Sequence, residues 1–132
     1  MSIFDIFKPK PKLSYTDQQW NKMWDLWAKG NVPSPYDQLM RYQSEVYNGG
    51  HDQYFCNTAN CYDLKAEVEA LVTILPPALA GKVRRCYMVF SAAGDEPNAE
   101  IEELYQECDD LFYENEEQIN KLLGSYAAAI KL

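Results

Sequence analysis

The chain has 132 residues, 47% of them hydrophobic and 14% aromatic, which is enough to build one packed domain and argues against disorder. Its formal charge is −8 and its pI about 4.6. That balance disfavours direct nucleic-acid binding, because phosphate contacts need lysine and arginine to displace counterions, and it favours a basic protein partner. No run of about 18 apolar residues occurs, so stable membrane insertion is not expected. The N-terminus lacks the apolar stretch of a signal peptide. A cytoplasmic location follows as the expectation, with Cys56, Cys61, Cys86 and Cys108 free and mostly buried.

Residues 1–13 read as a tail and a stiff linker. Ile3, Phe4, Ile6 and Phe7 form a short apolar patch, and Lys8, Lys10 and Lys12 alternate with Pro9 and Pro11, which stop a helix. Such a segment supports only marginal contact with a membrane surface. The remainder, residues 14–132, reads as one all-α domain.

The first helix is predicted over Thr16–Lys29, with Thr16 and Gln19 as a capping box and Trp20, Met23, Trp24 and Trp27 on one core face. Ser34-Pro35-Tyr36-Asp37 starts the second helix, with Ser34 as cap and Leu39, Tyr42, Val46 and Tyr47 inward. Asn48-Gly49-Gly50 ends it. A short third helix begins near Asp52, anchored by Tyr54 and Phe55, and breaks at Asn57–Asn60.

The fourth helix covers about Cys61–Leu75, capped by Asn60 or Asp63. Pro76-Pro77 separates it from a fifth over about Pro77–Ser91, whose outer side carries Lys82, Arg84 and Arg85. A loop, Ala92–Asn98, precedes the sixth helix at about Ala99–Tyr113. There Ile101, Leu104, Tyr105, Cys108, Leu111 and Phe112 repeat with the helical period. The seventh, about Glu116–Lys131, turns Ile119, Leu122, Leu123, Tyr126 and Ile130 inward. The class is therefore all-α, a compact bundle or array of about six to seven helices in a single domain.

Recognisable catalytic chemistry is missing from the pattern. The single histidine, His51, follows two glycines and reads as a capping or solvated loop residue. His51, Cys56 and Cys61 lack the spacing of a structural zinc site, and no Glu-x-x-His pair or phosphate-binding glycine loop is present. No cofactor, no metal and no enzymatic activity are expected.

What the chain does carry is charge. Between Cys86 and Asn120 the acidic residues are Asp95, Glu96, Glu100, Glu102, Glu103, Glu107, Asp109, Asp110, Glu114, Glu116 and Glu117, with no lysine or arginine among them. Glu100, Glu103, Glu107, Asp110 and Glu114 recur at three or four residues, forming a ridge opposite the apolar face of their helix. Neighbours on such a ridge sit about 5–6 Å apart between Cβ atoms, close to the spacing of phosphates along a nucleic-acid strand. Each like-charge pair costs about 0.2–0.5 kcal/mol, and the ridge on the order of 1–2 kcal/mol against a typical stability of ~5–15 kcal/mol. That cost gives the ridge a binding use as one reading. A solvated face, or one partly neutralised by Lys82, Arg84 and Arg85, is the other.

The segment Asn48-Gly49-Gly50-His51-Asp52-Gln53-Tyr54-Phe55-Cys56-Asn57 reads as a helix stop, a tight turn and a restart, with Gln53 and Asn57 expected on freed backbone groups. Its pattern, Asn-Gly-Gly, two residues, Gln-Tyr-Phe, one residue, Asn, resembles the signature of a bacterial family of unknown function that includes a DNA-mimic protein. Cys108-Asp109-Asp110-Leu111-Phe112-Tyr113 is similar to that family's second element, with Asp109 as the matching aspartate. The resemblance spans about residues 15–130 and implies an all-α, non-catalytic fold that often pairs as a homodimer. In the DNA-mimic member, surface carboxylates imitate duplex phosphates. The glycine motif bears on the fold, and only the ridge bears on mimicry.

The expected function is thus a non-catalytic acidic protein-binding domain, a DNA mimic that occupies a basic nucleic-acid-binding protein. The alternative is a general interaction or immunity-type module that uses an aromatic surface patch.

Overall fold

The computed structural model describes residues 13–93, 96 and 98–132. The tail and linker expected before Leu13, and Gly94, Asp95 and Pro97 of the expected loop, lie outside the described residues. Among the described residues there are six helices and no strand: α1 (Tyr15–Ala28), α2 (Tyr36–Cys61), α3 (Leu64–Val72), α4 (Pro77–Ala93), α5 (Ala99–Glu114) and α6 (Glu116–Ala127). The all-α class is as the periodicity predicts. No described helix is long and apolar enough to cross a membrane.

The second and third predicted helices are the two arms of α2, and the backbone breaks between them at Gly49 and Gly50, where the Asn-Gly-Gly stop is expected. Gly50 has φ +73° and ψ −173°, a region open essentially to glycine alone. The chain doubles back there. The Arg41 guanidinium lies 4.0 Å over the Tyr62 ring, and the Tyr42 and Tyr54 rings meet edge to face at 5.0 Å. The break expected at Asn57–Asn60 is absent, because Thr58 is buried and Asn57 is held from the first arm; the helix stops instead at Tyr62.

Several helix starts differ from the sequence reading. Ser14, not Thr16, caps α1 by accepting from the Asp17 amide at 3.0 Å. Gln19 is turned elsewhere: its Nε2 donates to the carbonyls of Ala128 and Ile130, fastening α1 to the end of α6. Pro35, not Ser34, is the N-cap of α2, and Asp37 serves Arg41 rather than a capping box. Asp63 caps α3 through the Ala66 amide, and Asn98 caps α5 through the amides of Glu100 and Ile101.

One core joins these elements. α5 packs on α4 and on α2, α3 lies between α2 and α4, and α6 packs on α1, α2 and α5. Met23, Leu39, Tyr42, Phe55, Leu79, Phe112, Ile119 and Leu123 are wholly buried within it. The tryptophans of α1 only border this core, whereas Met23 is fully inside. Tyr47, predicted inward, is 47% exposed, because it sits where α2 turns and, among the described residues, has only Phe112 and Tyr113 as ring neighbours. No disulfide forms among the described residues; Cys86 and Cys108 are buried, but Cys56 and Cys61 are exposed, contrary to the expectation of mostly buried thiols.

Candidate functional site

Two features meet on α5: the joint that holds the turn of α2, and the outer acidic face. The joint is built around His51, which is wholly buried rather than solvated, and lies in a helix rather than a loop. Asp109 Oδ1 accepts from the His51 backbone amide at 2.8 Å and from its ring Nδ1 at 2.6 Å. On the opposite side of the ring, Nε2 lies 2.6 Å from the Tyr42 hydroxyl. This arrangement assigns the neutral Nδ1–H tautomer, with Tyr42 donating to Nε2.

Burial pushes the His51 pKa below its usual value, and Asp109 opposes that shift without cancelling it. Partial burial works against the Asp109 charge, but the two hydrogen bonds from His51 hold its carboxyl below the ordinary carboxylate range. An Asp-His-hydroxyl series resembles the activating arrangement of hydrolases. Here the terminal Tyr42 hydroxyl is fully buried, so it meets no substrate, and the series acts as a pin between α2 and α5. Both ring nitrogens are engaged, which leaves neither for a metal shared with Cys56 and Cys61.

The glycines of the turn explain themselves in this setting. A Cβ on Gly50 would lie 2.9 Å from Asp109 Oδ2, and one on Gly49 would collide with the Gln53 side chain. Gln53 and Asn57 do not bind freed backbone groups. Their amide nitrogens both donate to Glu45 Oε2, at 2.8 and 3.0 Å, clasping the two arms of α2. Tyr54 and Phe55 are core anchors as predicted, and Asn48 is exposed at the turn. The sequence reading missed Glu45, Tyr42 and His51 as partners. Only the Asp37–Arg41 spacing of four residues signalled the second clasp, in which Arg41 bridges Asp37 at 2.9 Å and Glu67 at 2.7 Å.

On the outer face, α5 carries the five predicted carboxylates in a single band, but α4 answers two of them. Lys82 Nζ lies 2.7 Å from Glu107 Oε2, and Arg85 Nη2 lies 2.7 Å from Glu100 Oε1. The hydrogen bond and charge of Glu107 raise the Lys82 pKa. The ridge is therefore partly neutralised, by two of the three basic residues that the second sequence reading names. Glu103, Asp110 and Glu114 are exposed and pair with no basic side chain among the described residues, and Glu102 is exposed beside them. Among the described residues, Asp110 accepts only from Gln106, at 3.1 Å. Asp95, the first of the acidic run, lies outside the described residues.

A family model for DMP19-like proteins matches residues 37–130. The chain belongs to the DMP19-like family. The match begins within the first turn of α2 and runs beyond α6, so the Tyr42–His51–Asp109 joint and the acidic face both fall inside it, while α1 does not. Comparison with curated proteins gives no match, and comparison with solved structures gives none either.

Proposed function

We propose that this DMP19-like protein is a non-catalytic acidic binding domain that occupies a basic nucleic-acid-binding protein in place of DNA. The observation that carries this reading is the unpaired band Glu103, Asp110 and Glu114 on the outer face of α5, displayed on a chain of net charge −8. Glu100 and Glu107 extend the same band but share their charge with Arg85 and Lys82. A rigid helix holds the unpaired carboxylates at fixed separations, so a partner that has evolved to neutralise a row of phosphates finds a comparable row of acceptors.

The test is capture of basic proteins from the organism's own extract by the wild type and by a Glu103→Gln, Asp110→Asn, Glu114→Gln variant. Capture should weaken at least about tenfold in the variant and fall steeply with salt in the wild type. Undiminished capture by the variant would remove the acidic band from the account.

An aromatic-patch interaction is favoured by one observation: Tyr47 and Tyr113 are both exposed, with ring centroids 6.3 Å apart, next to Asp110 and Glu114. On that reading capture tolerates salt and is lost on replacing the two tyrosines by alanine.

A further inference from the structure

On the flank of α5 away from Lys82 and Arg85, a groove of about 520 Å³ runs between α5, the second arm of α2 and the end of α4. Its floor is apolar and aromatic, formed by Phe90, Ile101 and Tyr105. Its rim carries the carboxylates of Asp52 and Glu102, and no basic side chain lines it among the described residues. The Tyr105 side chain is only 6% exposed, and its hydroxyl, which makes no hydrogen bond among the described residues, keeps contact with solvent at the groove. Burial pushes the Tyr105 phenol up, and Cys56, Cys86, Asp52 and Glu102 add to that shift in that order, so the hydroxyl keeps its proton and offers its lone pairs beside two anionic acceptors.

The groove thus combines ring faces, acceptor oxygens and negative charge. We infer that it is an arginine-anchoring pocket, which takes an arginine side chain of a basic protein partner with the stem on Phe90 and Ile101 and the guanidinium at Tyr105, Asp52 and Glu102. Arginine fits better than lysine for a physical reason. Its planar fork stacks on aromatic faces and gives several donors at once, whereas the ammonium is compact and strongly hydrated. The identity of the occupant as part of a basic protein rests on the function proposed above; the preference of the groove for a guanidinium rests on its own lining.

The experiment is an NMR titration of the full chain with three blocked tripeptides, Gly-Arg-Gly, Gly-Lys-Gly and Gly-citrulline-Gly. The arginine peptide should shift the amides of Asp52, Glu102 and Tyr105 saturably, with affinity on the order of millimolar. The lysine peptide should bind several-fold more weakly, and the uncharged citrulline peptide should leave those amides unmoved. Tyr105→Phe, which keeps the ring, should weaken the arginine peptide about three- to tenfold, and the exposed Glu102→Gln should weaken it without affecting folding. Equal shifts from arginine and lysine spread along the whole of α5 would overturn the pocket, as would unchanged affinity in both variants. Because the peptides report on the groove and extract capture reports on the Glu103–Asp110–Glu114 band, the failure of either proposal is visible apart from the other.

Discussion

Protonating His51 requires placing a cation where no solvent reaches it, with Asp109 alone to offset the cost. In the unfolded chain the same imidazole binds its proton at about 6.5. Because the folded pKa lies below that value, the unfolded state takes up the proton first, and stability is lost as pH falls below about 6.5. Asp109 acts in the same direction at lower pH: its folded pKa is depressed, so its contribution is present above about pH 4 and is lost as pH falls through the folded value. With one histidine in the chain, its ring resonances form a single titration. The midpoint should fall below 6.5; a midpoint above 7 would mean that an ion pair, not a neutral pin, joins α2 to α5. Truncation separates Asp109 from its neighbour. Asp109→Ala strands the backbone and ring N–H groups of His51 and should cost about 2–4 kcal/mol in urea unfolding, whereas Asp110→Ala, on the exposed side, should stay within about 0.5 kcal/mol.

At the scale of elements, the turn of α2 depends on Gly50. Gly50→Ala meets both a forbidden backbone region and the Asp109 carboxylate, and should destabilise by about 1–3 kcal/mol or more. Gly81→Ala is the counterpart: a Cβ on Gly81, within α4, meets nothing within 4 Å. That change should stabilise by up to about 1 kcal/mol, so opposite shifts in the urea midpoint check the assignment of the two glycines. Much of this layout is legible in the sequence. The span of α5 and the start of α6 follow from strict helical periodicity, although α6 ends at Ala127 rather than near Lys131, and the Asn-Gly-Gly stop marks the turn. The errors share a cause. Local pattern cannot see that Gln19 reaches Ala128, that Asn57 is held by Glu45, or that His51 meets Asp109, 58 residues along the chain. A lone histidine after two glycines looks solvated until the helix opposite it supplies a carboxylate.

For the whole molecule, the sequence shows the acidic ridge and the basic residues that could answer it, but not which of them pair. Lys82 and Arg85 are separated from Glu107 and Glu100 by 25 and 15 residues, and only packing of α4 on α5 brings them together. What this leaves uncompensated is Glu103, Asp110 and Glu114, with Glu102 beside them at the rim of the groove. The central claim is that this band replaces DNA on a basic partner. Its most direct measurement is a competition titration, in which duplex DNA is added to the complex between this protein and the basic protein it captures. The account predicts that DNA displaces the chain with mutually exclusive occupancy, and that no species holds all three. A stable ternary complex of chain, partner and DNA would contradict it.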